Sequence, residues 1–289
     1  MSDLSHFKGV AVSAPNLTDI TDEQTSSHTE HIIKTDLNKL AGYFKESFLK
    51  TYQTYPNETD TSELYALYPR EFLSACDAKI KELSNFLGFN PKHRSITITL
   101  KDESGQVQAV ATRRLRDEAG KIIDGKKWIR AQGSINSFIA TKFKGDDEAV
   151  FIAEGLGEIG IFELLKSDYV AFQNAGEMAK FEFSDQAERI TSALKGKIVY
   201  CFVDNDEAEQ RGADSLYPII GQVAKELYEV KFKDKPKGYD LRDLITELSH
   251  THAGEIMKDN LKPIKQRGKA GERLLDAIAN EIDRVKVRI

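Results

Sequence analysis

Ala149-Val-Phe-Ile-Ala-Glu154-Gly-Leu-Gly-Glu158 and Lys197-Ile-Val-Tyr-Cys-Phe-Val-Asp204-Asn-Asp206 each place carboxylates directly after a short apolar run, about 50 residues apart. Both runs are short and β-prone and read as buried strands. Carboxylates at the carboxyl ends of neighbouring parallel strands meet in the crevice where open α/β sheets bind their ligands. Converging carboxylates repel one another unless a cation lies between them, and the hard cation Mg²⁺ suits an all-oxygen donor set. The chemistry this points to is metal-dependent reaction of a phosphate compound.

Alternate residues of an extended chain point the same way, so Asp204 and Asp206 can face one metal. The plainer reading is an acidic loop that caps the helix beginning near Glu207, and for this pair alone the two readings stand level. Glu154-Gly155 at the end of another strand tips the balance, because glycine permits close approach of the backbone to a phosphate or a helix. A third acidic segment, Lys237-Gly-Tyr-Asp240-Leu-Arg-Asp243-Leu, follows the strand expected at Tyr228 to Phe232. Asp240 fits a helix cap whether or not it also reaches a metal.

The elements that must hold these residues follow from periodicity. Residues 1–30 are rich in Ser, Thr and Asp with little pattern and read as a mobile tail. From about Thr35 to Leu87 apolar residues recur at helical spacing, broken by Pro56-Asn57 and Pro69, which gives a small helical region. Ser95 to Leu100 alternates as a strand does, and a turn at Gly105 returns the chain into Val107 to Thr112 as a hairpin. From Ala149 strands are expected at 149–153, 169–172, 197–203 and 227–232, with helices near 157–166, 185–194 and 207–226. Such β-α alternation implies a parallel sheet covered on both faces. After Asp240 the chain reads as helical, ending in an amphipathic stretch from about Ala270 to Val285.

Composition narrows the function classes. The 289 residues carry a formal net charge of −5, which argues against a simple basic nucleic-acid coat. The charge is segregated: Lys92 to Lys144 holds twelve Lys/Arg against five Asp/Glu, a local +7 that leaves −12 to the remainder. One polyanion-facing surface beside an acidic metal site is the implication. Two cysteines, Cys76 and Cys201, support neither a disulfide framework nor a cysteine zinc finger. No signal-peptide pattern is found and no apolar run approaches the ~20 residues that cross a bilayer, so a cytoplasmic protein without a membrane partner is expected. His250 and His252 read as surface polarity, and Tyr55, Tyr65 and Tyr68 as partly buried side chains.

Glu-Gly after one strand, Asp-x-Asp after a later one and a third acidic segment together resemble the toprim domain. Bacterial-type primases, type IA and type II topoisomerases and some nucleases share that fold. The resemblance implies that Glu154 is the catalytic acidic residue, with Asp204 and Asp206 as Mg²⁺ (or Mn²⁺) ligands acting in the same chemistry. Glu158 matches a position that is often Asp in replicative primases, and Asp240 with Asp243 resembles the third acidic motif. Those two lie one residue further apart than in the replicative enzymes, so of the pair only Asp240 is carried over, with Glu158, to the metal. Val170-Ala-Phe-Gln-Asn174-Ala-Gly176 is similar to the intervening strand and turn of plasmid and phage primase-like proteins, which makes Asn174 a nucleotide or DNA contact. Ile96 to Arg114, with Arg113 and Arg114, resembles the strand-turn-strand of the primase basic subdomain. Lys126-Lys127-Trp128-Ile-Arg130 continues it. By that resemblance Arg113, Arg114, Lys126, Lys127 and Arg130 contact nucleotide or template phosphates.

The resemblance covers roughly residues 90 to 250. It implies an α/β fold: a toprim, Rossmann-like, mainly parallel four-stranded sheet with helices on both faces. A small mixed α/β basic subdomain precedes it, and helices flank it. The expected organisation is a tail at 1–30, a helical region plus basic subdomain at 31–145, the toprim unit at 146–260 and a C-terminal helix at 261–289. The implied activity is that of a primase-like nucleotidyltransferase making RNA primers on single-stranded DNA from nucleoside triphosphates, with a replicative helicase or replication initiator as partner. No cysteines are present for the zinc-binding domain of replicative primases and no helicase motor is fused, so a mobile-element or accessory protein of DNA replication fits best. A toprim metal-dependent nuclease is the alternative, as is a catalytically weak module that binds nucleic acid or recruits a partner.

Overall fold

A computed structural model describes residues 36–53, 58–113, 128–144, 148–204, 207–232, 235–247 and 283–286. The tail expected at 1–30 and most of the C-terminal region lie outside the described residues.

Helix α1 (Leu37–Gln53) buries Leu40, Ala41, Phe44, Phe48 and Tyr52, an i, i+4 stripe facing inward. The Asp36 carboxylate accepts from the Lys39 N–H at 3.1 Å and caps its start. Three short helices follow, α2 (Glu58–Tyr65), α3 (Arg70–Ala75) and α4 (Ile80–Leu83). Leu87, read from sequence as the end of this helical stretch, opens a strand instead. Strands β1 (Leu87–Asn90), β2 (Ser95–Lys101), β3 (Val107–Arg113) and β4 (Trp128–Arg130) form an antiparallel sheet in that order. The β2–β3 turn is the expected one. Gly105 adopts φ +84°, and the Asp102 carboxylate accepts from the Ser104 and Gln106 N–H groups.

The second sheet has six strands. They are β5 (Ala140–Lys142), β6 (Ala149–Glu154), β7 (Asp168–Phe172), β8 (Ile198–Phe202), β9 (Glu226–Lys231) and β10 (Asp283–Lys286). Their order is β10-β9-β8-β6-β7-β5. The inner four pair in parallel, while β5 and β10 add antiparallel edges. Between them run α5 (Leu156–Leu165), α6 (Ala175–Ala179), α7 (Ala187–Leu194) and α8 (Glu207–Gly221), and a helical segment covers 241–247.

Alternation along the strands sorts the core by face. Phe151, Ala153, Tyr169, Ala171 and Phe202 point to α5, where Ile159 and Phe162 meet them; the Phe151 and Phe162 rings stack at 5.8 Å. Val150, Ile152, Val170, Phe172, Val199 and Cys201 point the other way, to Ile190 and Leu194 of α7 and Leu216 and Ile220 of α8. The first face is continuous with the smaller sheet, since Ile96, Ile98, Leu100, Ala109 and Ala111 belong to the same apolar cluster.

The four inner strands stand where the apolar runs put them, and two edges went unforeseen. Ala140–Lys142 is too short to print a period. Asp283–Lys286 lies at the end of the stretch read as an amphipathic helix, and that reading is corrected there: Val285-Lys-Val287-Arg-Ile289 alternates with period two. The rest of that helix falls outside the described residues. Cys76 and Cys201 are both free thiols. Among the described residues no helix is long and apolar enough to cross a membrane.

Candidate functional site

Glu154 is the last residue of β6, and the chain must turn at once into α5. Gly155 makes that turn at φ +116°, a conformation that disfavours any side chain, and its N–H donates to the Phe172 carbonyl at 2.8 Å. Parallel pairing sets Glu154 level with Phe172 of β7 and Ala153 level with Phe202 of β8. Asp204 follows β8 by two residues, so Glu154 and Asp204 occupy the carboxyl ends of adjacent parallel strands, about 4.8 Å apart in backbone spacing. They are one residue out of step, because continuing the register past Ala153 and Phe202 sets Glu154 level with Val203, the residue after β8. Both are partly exposed, whereas Ala153, Phe202 and Val203 behind them are buried.

Asp206 lies outside the described residues. Among the described residues no group of three or more His, Cys, Asp or Glu side chains is arranged to hold a metal. The donor chemistry of Glu154 and Asp204 does suit a hard divalent cation. The other two expected ligands are disposed differently.

Glu158, in the first turn of α5, and Asp240, 82 residues later, are brought together, but a side chain stands between them. Arg242 Nε donates to Glu158 Oε1 at 2.7 Å, and Arg242 Nη2 donates to Asp240 Oδ2. Glu158 is 2% exposed and Asp240 6% exposed, so this is a buried ion triad. Burial works against the Arg242 charge, yet Glu158 and Asp240 outweigh it and hold the guanidinium above its ordinary pKa. Asp240 also serves as the cap its position suggested. Its Oδ1 accepts from the Asp243 N–H at 2.9 Å, and Asp243 Oδ2 accepts from the Asp240 N–H at 3.1 Å.

Tyr68 underlies this triad. Read from sequence as partly buried, it is fully buried, and its hydroxyl donates to the Gly157 carbonyl at 2.9 Å. Burial, reinforced by the Glu158 charge, pushes the phenol well up, so it stays protonated and keeps donating. A Cβ on Gly160 would collide with the Tyr68 hydroxyl, so the glycine lets the ring seat against α5. The helical region before the sheets therefore fixes the helix that carries Glu158.

The third group sits where β7 ends, one strand from Glu154. Arg130, at the end of β4 in the smaller sheet, donates from Nε to Gln173 Oε1 at 2.7 Å and lies 3.6 Å from Glu177 through Nη2. Gln173 donates in turn from its backbone N–H to Glu177 Oε2 at 2.8 Å and from Nε2 to the Phe138 carbonyl at 2.8 Å. Burial raises the Glu177 carboxyl to about 7, against the opposing pull of the Gln173 N–H and Arg130. Asn174, expected to contact nucleotide or DNA, spends its side-chain oxygen on the Glu177 N–H at 3.0 Å as the cap of α6. Arg113 closes β3 and is buried, 6% exposed. Arg114, Lys126 and Lys127 lie outside the described residues.

No protein-family model and no curated protein matches the sequence. Solved structures do match, several primase catalytic regions among them. Against the zinc-binding and RNA polymerase domains of the Aquifex aeolicus primase the identity is 17% and the TM-score 0.42, covering 85% of this chain. The chain thus spans 65% of that Aquifex structure, just under two thirds. The DnaG catalytic core gives 14% identity and a TM-score of 0.48, with 85% of this chain and 90% of the other covered. The RNA polymerase domain of Mycobacterium tuberculosis DnaG gives 11%, 0.42, 83% and 97% respectively. At TM-scores below 0.5 these likenesses decide no activity, which has to be argued from the residues.

Sequence reasoning missed Arg242, Gln173 and Glu177 as members of the site, and gave Tyr68 no part in it. For Arg242 a signal was available: a cation inside an acidic segment, two residues from each neighbouring motif carboxylate at most. Nothing in the sequence marks the partners of Tyr68 or Glu177, because those contacts form only when distant segments pack.

Proposed function

We propose that the chain is a toprim, primase-like nucleotidyltransferase that extends an RNA primer on single-stranded DNA from nucleoside triphosphates. Its main support is the register of β6 with β8, which brings the strand ends bearing Glu154 and Asp204 side by side. On this reading Glu154, Asp204 and Asp206 hold one Mg²⁺ or Mn²⁺. When bound, the ion supplies charge neutralisation for the triphosphate and polarises the attacking 3′-hydroxyl. Arg130, fixed by Gln173 beside the end of β7, offers positive charge to a phosphate at the same edge of the sheet. Arg113 adds charge from the buried end of β3. Arg114, Lys126 and Lys127 contact the template backbone, in keeping with the local +7 between Lys92 and Lys144. The same proposal includes the division into a basic subdomain and a toprim unit and a partnership with a replicative helicase or initiator.

The test offers single-stranded template, labelled ribonucleotides and Mg²⁺ or Mn²⁺ to the full chain. Primer-sized products are expected, and Asp204→Asn is expected to lower incorporation about 100-fold or more, the equivalent of at least about 2.7 kcal/mol of charge stabilisation. Circular dichroism should show the fold retained. Template degradation would identify a nuclease instead, and retention of template without turnover a recruiting module. Unchanged incorporation by Asp204→Asn and Asp206→Asn would remove the carboxylates from the chemistry.

A further inference from the structure

We infer that Arg242 occupies, as a built-in cation, the position between Glu158 and Asp240 that the acidic segments would otherwise offer to a second divalent ion. The chain then takes up divalent metal at the ends of β6 and β8 alone. This deepens the reading above and takes from it only that Glu154 and Asp204 form the ion site.

Two carboxylates that are almost fully buried and brought to one point need a cation between them. Arg242 is built for that place. Its planar guanidinium projects Nε toward Glu158 Oε1 and Nη2 toward Asp240 Oδ2, two donors in a fixed fork that an ammonium group cannot reproduce. The surrounding backbone makes way for it. A Cβ on Gly157 would lie 2.9 Å from Arg242 Cδ, and one on Gly155 would collide with the Glu158 carboxylate. Both Asp240 oxygens are already engaged, Oδ1 by the Asp243 N–H and Oδ2 by Arg242. The triad carries a net charge of −1, and a dication added to it would meet the guanidinium at contact distance.

The alternative, that the triad is an exchangeable ion pair which yields to metal, makes a different prediction for binding. The number of Mn²⁺ ions bound by the full chain can be counted at equilibrium from the electron paramagnetic resonance signal of free Mn²⁺. With Arg242 in place, Asp240→Asn and Glu158→Gln should each leave the number of bound ions unchanged and the affinity within about 3-fold; asparagine keeps the helix cap, so the first chain should fold. Arg242→Met should bind one ion more than the parent chain, and Arg242→Met with Asp240→Asn should lose that extra ion. Loss of an ion in Asp240→Asn or Glu158→Gln alone would overturn the inference, as would a folded Arg242→Met chain that gains none. Should Arg242→Met fail to fold, the Asp240→Asn and Glu158→Gln counts still decide. A parent chain whose binding is indifferent to Asp204→Asn would remove the strand-end site from the inference, while the gain on removing Arg242 still decides whether that side chain fills the position between Glu158 and Asp240.

Discussion

Glu177 couples its environment to pH in a direction that can be worked out. Its folded carboxyl titrates at about 7, against 4.5 for the free group. The folded state therefore holds a proton that the unfolded chain releases between those values. Stability is greatest below pH 4.5 as far as this group is concerned, falls as pH rises through the window and levels off above about 7. With the side chain 8% exposed, solvent screening is slight and the effect is of the order of 1–3 kcal/mol. Glu177→Gln keeps an oxygen for the Gln173 N–H and removes the titration. The difference in unfolding free energy between variant and parent, measured in denaturant, should shift by that amount in favour of the variant between pH 5 and pH 8. Parallel pH profiles would contradict it. At this scale the sequence was half legible. The strand ends that carry Glu154 and Asp204 could be read because a carboxylate that ends an apolar strand is a local pattern. Arg242 and Glu158 are 84 residues apart, and although Arg242 stands out as a cation within an acidic segment, nothing local names Glu158 as its partner.

Among the elements, α5 carries the most consequence, since it presents Glu158 on one side and receives Tyr68 on the other. Gly160→Ala drives a methyl group into the Tyr68 hydroxyl and ring, and overpacking of this kind costs about 1–3 kcal/mol. Tyr68→Phe forfeits the bond to the Gly157 carbonyl, roughly 1 kcal/mol. The double variant should lose less than the sum, because removing the hydroxyl relieves part of the collision; strict additivity in thermal or denaturant unfolding would show that the two do not meet. Elements with strong local signals were legible: the runs at Ala149, Tyr169, Lys197 and Leu227 are apolar and rich in β-branched or aromatic side chains. The edges were not. β5 is three residues long, and β10 follows a segment whose helical spacing masks the switch to period two at Val285.

Across the whole molecule, the two sheets share one apolar cluster, with Ile98 and Ala111 of the smaller sheet, Phe72 of the helical region and Ala153 and Phe202 of the larger sheet all in it. Arg130 crosses from one sheet to the other and ends beside the β7 terminus. Charge follows this layout among the described residues, with Lys101, Arg113 and Arg130 in strands of the small sheet and Glu154 and Asp204 at strand ends of the large one. On the proposed function, a polyanion held by the first would be delivered to the second. The proposed function depends on a divalent ion binding where β6 and β8 end. A crystal soaked in Mn²⁺ and a nucleoside triphosphate, read by anomalous scattering, tests it most directly. A single strong peak is expected about 2.0–2.3 Å from carboxylate oxygens of Glu154 and Asp204, with Arg242 still bridging Glu158 and Asp240. A peak between Glu158 and Asp240, or none at the ends of β6 and β8, would contradict it.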